Sequence, residues 1–345
     1  MRILHFIPTL ATGGAERQLY LLCRETCGRI EHTVIAAASE GRWARPLREL
    51  GLEVRCLGSA LRDPRLLLRM RREVSRVSPE IVHCWLPSMN VAGALISGSA
   101  PMVASVRNVD DWKPWFYRLT ERLLSPLWNA VIANSEAGAA EIARTAKLAD
   151  DRLYVVLNGI AFRPVKPRPA GAERTVLTAC RLVPQKRVDR VLAAARRLPD
   201  FRFRIAGAGP ERLTLEQGAP PNVEFLGEIA DLSREYDDAA LFMLTSEREG
   251  TSNALLEAMQ AGCVPVVTAA GDNARIVRDG FNGRVAQDDA LAGAVRDCVA
   301  NWTLWSGAAR ECAERYSVPA MAERTLEIYR SLDHATAAHS LPRLH

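Results

Sequence analysis

Two carboxylates, Glu249 and Glu257, stand eight residues apart in the run Glu247-Arg-Glu-Gly-Thr-Ser-Asn-Ala-Leu-Leu-Glu-Ala-Met-Gln-Ala-Gly262. The spacing places Glu249 in a loop beside Gly250 and Glu257 inside a helix that starts at Thr251 or Ser252, both good cap residues. Asn253 lies about one turn before Glu257, on the same face. The helix's first backbone N–H groups are unpaired and face the loop, which suits a phosphate. A carboxylate one turn further in can accept hydrogen bonds from two hydroxyls of a ribose. Glutamates on helices are usually solvated. Here Ala254-Leu-Leu256, Ala258-Met259 and Ala261 make most of the helix apolar, so Glu257 sits among buried neighbours, and a buried carboxylate needs partners. The region has the parts needed to hold a nucleotide.

Cations and glycines with related chemistry occur elsewhere. Arg181 and Lys186 follow an apolar run in Cys-Arg-Leu-Val-Pro-Gln-Lys-Arg-Val-Asp189. An arginine that can bind bidentately and a mobile lysine suit a diphosphate, although a solvated basic loop has the same composition. Gly13 and Gly14, in Thr12-Gly-Gly-Ala-Glu-Arg17, allow a tight turn and close approach of a ligand to the backbone. Gly207, in Ala206-Gly-Ala-Gly-Pro-Glu-Arg212, belongs to a partial dinucleotide fingerprint that lacks its third glycine.

These residues need strands and helices to position them. Apolar runs predict strands at 3–7, 33–37, 53–56, 81–84, 102–106, 130–133 and 154–157, with helical patterns between most of them. Asn158-Gly159 makes a turn, and Pro164, Pro167 and Pro169 stiffen what reads as an interdomain linker. Strands resume at 175–179, 202–206, 223–225, 241–244 and 264–268, followed by a helical part from about 289 to 332. Repeated βα units imply an α/β protein with two doubly wound parallel sheets. The expected domains are 1–165 and 166–333, the final helix being free to pack back on the first domain, and 334–345 is a flexible tail. A cleft between the strand ends of two such domains is the default binding place.

The phrase from Glu249 to Val267 resembles the E-x7-E signature of the retaining glycosyltransferases of family 4, which have the GT-B architecture, and within it the bacterial polysaccharide and lipopolysaccharide branch. Arg181 and Lys186 match that family's R-L-x-x-x-K phosphate phrase, and Gly14 its glycine loop beside the donor diphosphate. The resemblance implies that the second domain holds a nucleoside-diphosphate sugar and the first a glycan or lipid-linked acceptor. Glu257 would bind the ribose and Glu249 the transferred sugar or its surroundings. Gly207 and the Gly227-Glu-Ile229 segment would border the base, and Gly271–Ile276 and Asp279–Gly283 would shape the site. Glu249, Arg181 and Lys186 are the expected catalytic group. Gly13, Gly14, Gly207, Gly250, Asn253 and Glu257 join them in donor binding. The chain departs from the family where Arg107 and Trp85 occupy positions at which relatives carry histidine. His83 reads as a packing residue at a strand end. Reaction on one face of the sugar, with the leaving phosphate taking the acceptor's proton, needs no separate base. No D-x-D occurs, and Asp110-Asp111 and Asp288-Asp289 have the wrong spacing, so the resemblance implies a metal-independent enzyme without a cofactor.

The 345 residues suffice for two domains with separate cores. No run reaches membrane-spanning length, and the start, interrupted by Pro8 and Gly13-Gly14, does not read as a signal peptide. Eight scattered cysteines without a CxxC pair suggest reduced thiols in a cytoplasmic protein. The net charge of +5 is uneven: residues 1–165 hold 22 Lys/Arg against 16 Asp/Glu, and residues 166–345 hold 23 against 24. Two segments of the positive half suit peripheral contact with an anionic membrane. Arg62–Arg76 carries six arginines beside an apolar stripe of Leu66, Leu67, Met70, Val74 and Val77, and Trp112–Leu124 mixes four aromatics with three cations. Nothing suggests nucleic-acid binding. Three other readings stand beside a transferase: a nucleotide-sugar epimerase of the same architecture, a catalytically silent membrane-associated binding protein and, more distantly, an NAD enzyme.

Overall fold

The computed structural model describes residues 1–11, 13–61, 63–109 and 113–340, with side chains as far as Asp333. Thr12, Arg62, Asp110, Asp111, Trp112 and the end of the tail from Leu341 lie outside the described residues. The chain divides into two compact units, Met1–Gly159 with Val318–His345, and Ile160–Ser317.

The first unit alternates β1 (Arg2–Thr9), α1 (Gly14–Thr26), β2 (Glu31–Ser39), α2 (Ala44–Glu49), β3 (Glu53–Cys56), α3 (Leu66–Val77), β4 (Ile81–Trp85), α4 (Pro87–Ile96), β5 (Met102–Val106), α5 (Trp115–Leu124), β6 (Ala130–Ala133), α6 (Glu136–Ala146) and β7 (Leu153–Val155). The second runs β8 (Thr175–Ala179), α7 (Val188–Arg196), β9 (Arg202–Ala206), α8 (Arg212–Gln217), β10 (Val223–Gly227), α9 (Ser233–Asp237), β11 (Leu241–Leu244), α10 (Asn253–Gln260), β12 (Val264–Val267), α11 (Asn273–Ile276), β13 (Arg284–Val285), α12 (Leu291–Ala300) and α13 (Trp302–Ala313). Helix α14 (Val318–Ser340) closes the chain.

Both sheets are parallel and doubly wound. Their strand orders are β3-β2-β1-β4-β5-β6-β7 and β10-β9-β8-β11-β12-β13. Central strands such as β4, β5, β8 and β11 are buried along their whole length because helices cover both faces. In the first unit Ile3, Ile7, Leu19 and Leu22 pack beneath α1, α2 and α14. The other face packs Leu66, Met70, Met89, Ile96, Leu124 and Ile142 from α3 to α6.

Three boundaries differ from the sequence expectation. The chain divides after Gly159 and not after residue 165, because the proline-containing segment is tied to the second unit. Arg163 Nη1 meets Asp237 Oδ1 at 2.6 Å, Gln260 Nε2 donates to the Arg163 carbonyl at 2.6 Å, and Arg168 donates to the carbonyls of Ala239 and Ala261, each at 2.9 Å. Helix α14, which the sequence left free to pack back, lies in the first unit, where Val318, Met321, Ala322, Leu326 and Tyr329 complete the core. That helix continues to Ser340, seven residues into the expected tail. Strand β7 ends at Val155, and beyond it Gly159 exchanges two hydrogen bonds with the Gln18 side chain, both 2.9 Å. The two-residue β13 was too short to be legible.

Candidate functional site

In an open parallel sheet, ligands bind outside the carboxyl ends of the strands where the strand order reverses. In the second unit that point lies between β8 and β11, adjacent strands from which the winding runs outward in both directions. The segment after β8 carries Arg181 and Lys186, and the segment after β11 carries Glu249 and Gly250.

The two segments are laced together. Lys186 Nζ is ion-paired with Glu249 Oε1, and Ser246 Oγ donates to the same oxygen at 2.7 Å. Gln185 Nε2 donates to the Arg248 carbonyl at 2.8 Å, and Glu247 N donates to the Gln185 carbonyl at 2.9 Å. Arg187 bridges Asp189 and Glu247, and Thr245 Oγ1 donates to the Arg187 carbonyl at 2.8 Å. Glu249 is buried, so its charge depends on these partners. Both contacts fall on Oε1. Arg181 is exposed at the end of β8.

Helix α10 begins where the sequence placed it. Ser252 is the N-cap, its Oγ accepting from Leu255 N at 3.4 Å. Asn253 is the first residue of the helix, and Glu257 lies one turn on, half-buried, with Tyr236 Oη donating to Glu257 Oε2 at 3.2 Å. Gly271 has φ +54°, and a Cβ there would lie 1.9 Å from the Glu249 carbonyl oxygen, so only glycine lets this turn press against the Glu249 segment. Gly207 is under a similar constraint: φ is +146° and a Cβ would meet the Cys180 carbonyl oxygen at 1.8 Å. Its N–H donates to the Gly227 carbonyl at 2.7 Å, joining the two segments expected to border a base.

Arg181, Lys186, Glu249, Gly250, Asn253, Glu257 and Gly207 thus all lie at or near the carboxyl edge of one sheet. Gly13 and Gly14 belong to the other unit, where Gly13 is the extended N-cap residue of α1 and Gly14 its first residue. Ser246 and Tyr236 escaped the sequence reading. Ser246 sits three residues before Glu249 and could have been found as a short polar residue just past a strand end. Tyr236, on α9, gives no local signal, because only the sheet order brings it to Glu257.

The first unit holds a buried polar chain on β1, β2 and β4. The Trp85 indole can only donate, so His5 Nδ1 accepts from it at 3.2 Å and the His5 proton lies on Nε2. His5 Nε2 then donates to His32 Nδ1 at 2.9 Å, His32 Nε2 to Thr26 Oγ1 at 2.7 Å, and Thr26 to the Leu22 carbonyl at 2.7 Å. Every link is satisfied with both imidazoles neutral. Burial agrees, holding His5 well below the usual histidine value and lowering His32 to about 4. The ligand atoms of His5, Cys23 and His32 lie within 4.8 Å of one another. A metal on His5 Nε2 would force an imidazolate while Trp85 holds Nδ1, so this group fits a hydrogen-bonded core better than a metal centre. His83 is also spoken for, with Nδ1 at 2.5 Å from Tyr329 Oη and Nε2 at 2.7 Å from Ser105 Oγ.

Comparison with known proteins agrees with this fold. Residues 173–301 match the family described as "Glycosyl transferases group 1", and residues 12–162 match "Glycosyltransferase Family 4". The chain is 27% identical over 301 residues to an alpha-maltose-1-phosphate synthase of Mycolicibacterium smegmatis, covering 72% of this chain and 78% of that one. It is 24% identical over 317 residues to a Campylobacter jejuni alpha-1,4-N-acetyl-D-galactosaminyltransferase named for a diNAcBac-PP-undecaprenol-linked substrate, covering 85% and 86%. The crystal structure of Anabaena Alr3699/HepE in complex with UDP superposes with a TM-score of 0.82 at 20% identity, covering 96% of this chain and all of that one. Two parallel Rossmann-like sheets, a laced cation–carboxylate pair at the switch point of the second, and these matches place the chain in family 4 of the GT-B glycosyltransferases.

Proposed function

We propose that this glycosyltransferase moves a hexosyl group from a nucleoside-diphosphate sugar to a glycan or lipid-linked acceptor, with retention of anomeric configuration and without a metal. The observation that carries the reading is the β8–β11 switch point, where Lys186, Arg181 and the start of α10 supply positive potential beside two carboxylates. Glu257 would take the ribose hydroxyls, with Tyr236 orienting it. Lys186, held by Glu249, and Arg181 would receive the charge of the departing diphosphate, and such preorganised donors are worth about 3 kcal/mol each. The C1–O bond to the diphosphate breaks while the acceptor oxygen bonds to C1 on the same face. The acceptor's proton passes to the leaving phosphate oxygen, giving a glycoside and a nucleoside diphosphate. Cell-surface glycan assembly is the setting we infer, supported by one relative named for a diNAcBac-PP-undecaprenol-linked substrate.

The reading includes a peripheral location on the inner face of the cytoplasmic membrane. Among the described residues no helix is long and apolar enough to cross a membrane. Helix α5 is built inside out. It buries the Glu121 carboxylate against Lys113 Nζ at 2.6 Å, while Trp115, Phe116, Leu119 and Leu123 face solvent. Leu61, Leu68, Leu95 and Leu127 are exposed in the same stretch of the unit. The apolar stripe of α3 is different: Leu66 and Met70 are buried and Leu67, Val74 and Val77 pack on the core, so apart from Leu68 what α3 and its N-cap turn outward is polar, with Arg65, Arg71, Arg72 and Arg76 exposed.

Incubation with a panel of nucleotide sugars tests the activity. Slow donor hydrolysis supports the transferase, a new epimer supports the epimerase, and binding without turnover supports the silent protein. Retention would be read from the anomeric configuration of the product by NMR.

A further inference from the structure

Arg107 follows β5 at the carboxyl edge of the first unit's sheet, next to the end of β4. It makes one hydrogen bond, from Nη2 to Ser105 Oγ at 3.3 Å. Its guanidinium lies over the Trp85 indole, 4.3 Å from the ring centroid, and His83 stacks on that indole at 4.6 Å. Nε is shut off from solvent and has no acceptor. Among the described residues no carboxylate pairs with it, and most of its N–H donors are unused. Burial pushes the guanidinium down to about 10.

An arginine that is half-buried, stacked in place and left without a counter-charge costs stability. Natural chains meet that cost with a partner, as Arg163 does with Asp237 and Arg204 with Glu235 in the second unit. The same edge carries a second departure from low-energy structure. Leu86, directly after Trp85, has φ +72° and ψ 156°, a region that L side chains avoid. A stacked guanidinium presents a fixed fork suited to the two oxygens of a phosphate or carboxylate.

We propose that Arg107 is the anion-recognition residue of the acceptor site, taking a phosphate or carboxylate group carried by the acceptor. Calling the ligand the acceptor rests on the proposed function, because the second unit already supplies Arg181 and Lys186 for the donor diphosphate. Anion binding at Arg107 stands without it. A lipid-linked phosphate and an acidic sugar are the two sources of such a group.

The test uses the Arg181→Gln/Lys186→Met protein, in which the second unit's phosphate cations are removed. It is titrated calorimetrically with inorganic pyrophosphate, methyl glucuronide and methyl glucoside. One of the two anions is expected to bind and the neutral sugar not to. The tighter anion identifies the source, pyrophosphate for a lipid-linked phosphate and the glucuronide for an acidic sugar. Adding Arg107→Gln should weaken that binding at least about tenfold. Binding of neither anion, or an unchanged Kd in Arg107→Gln, overturns the proposal. Wild-type protein saturated with the nucleoside diphosphate it binds best gives the same comparison if the double variant does not fold. A second readout separates recognition from architecture. Arg107→Met should melt no lower than wild type, since it removes an uncompensated charge, and a fall in Tm beyond about 4 °C would make Arg107 a structural strut and sink the idea.

Discussion

Replacing the outer stripe of α5, by Trp115→Gln, Phe116→Ser, Leu119→Ser and Leu123→Gln together, should release the protein from anionic membranes without unfolding it. Trp115 is 75% exposed, Phe116 56%, Leu119 46%, Leu123 68% and the neighbouring Leu127 51%. The four substituted side chains amount to roughly two and a half fully exposed ones, and at about 2 kcal/mol for each complete burial they hold about 5 kcal/mol of transfer free energy that the fold itself does not use. A helix lying in the headgroup region covers roughly half of that, about 2.5 kcal/mol. The quadruple variant should therefore partition to vesicles roughly 50- to 100-fold more weakly. The exposed arginines of α3 remain and continue to add up to about 1 kcal/mol each near an anionic surface, so residual binding should be salt-sensitive. Cosedimentation with phosphatidylcholine vesicles, with and without phosphatidylglycerol, measures the partitioning, and a thermal melt checks the fold. The reasoning fails if the variant binds as well as wild type, or if wild type does not distinguish anionic from neutral vesicles.

Lys186→Met strips Glu249 of its ion-pair partner and should cost about 2–3 kcal/mol of stability in chemical denaturation, because both side chains are largely buried. The same change should lower donor turnover about 10²- to 10³-fold, and adding Glu249→Gln should recover stability but not turnover. Wild-type turnover in Lys186→Met would remove the residue from the reaction. Glu257→Ala should weaken nucleoside-diphosphate binding by about 10- to 100-fold with the melting temperature nearly unchanged, and calorimetry showing equal affinity would take Glu257 off the ribose. Acid should destabilise the first unit. His5, His32 and His83 all have folded values below the unfolded one, so their contribution is intact above about pH 6.5 and falls as the pH drops from there toward 4. Near pH 5 each costs about 2 kcal/mol, and urea midpoints that stay flat from pH 7 to 5 would contradict the neutral hydrogen-bonded chain.

The grouping of residues at the β8–β11 edge was legible because its information is local. One loop and the first turn of one helix carry Glu249, Gly250, Asn253 and Glu257, with a cap residue to set the register. Arg181 and Lys186 are equally local, in the segment after β8. What joins the two segments is non-local: the Lys186–Glu249 pair spans 63 residues and follows from β8 and β11 being neighbours. Composition marked the segment around α5 as interfacial, yet which face turned outward depended on the burial of Glu121 against Lys113, a preference opposite to ordinary amphipathic packing. The α3 stripe obeyed the ordinary rule and faces the core. The proline-containing segment read as a linker because prolines often mark one. Arg168, reaching carbonyls 71 and 93 residues away, helps make it part of the second unit.

Helix α14 changes the order in which this molecule can be made. The second unit is one continuous stretch, whereas the first cannot finish its core until Met321, Leu326 and Tyr329 arrive, with Tyr329 Oη completing the His83 pair. A chain emerging from the ribosome therefore synthesises the first unit's sheet first and completes it last. Through the whole synthesis of residues 160–317 that side of the sheet has α1 and α2 in place but lacks the cover that α14 supplies. The exposed face belongs to the nascent chain alone, and it is there that a chaperone has the most to cover.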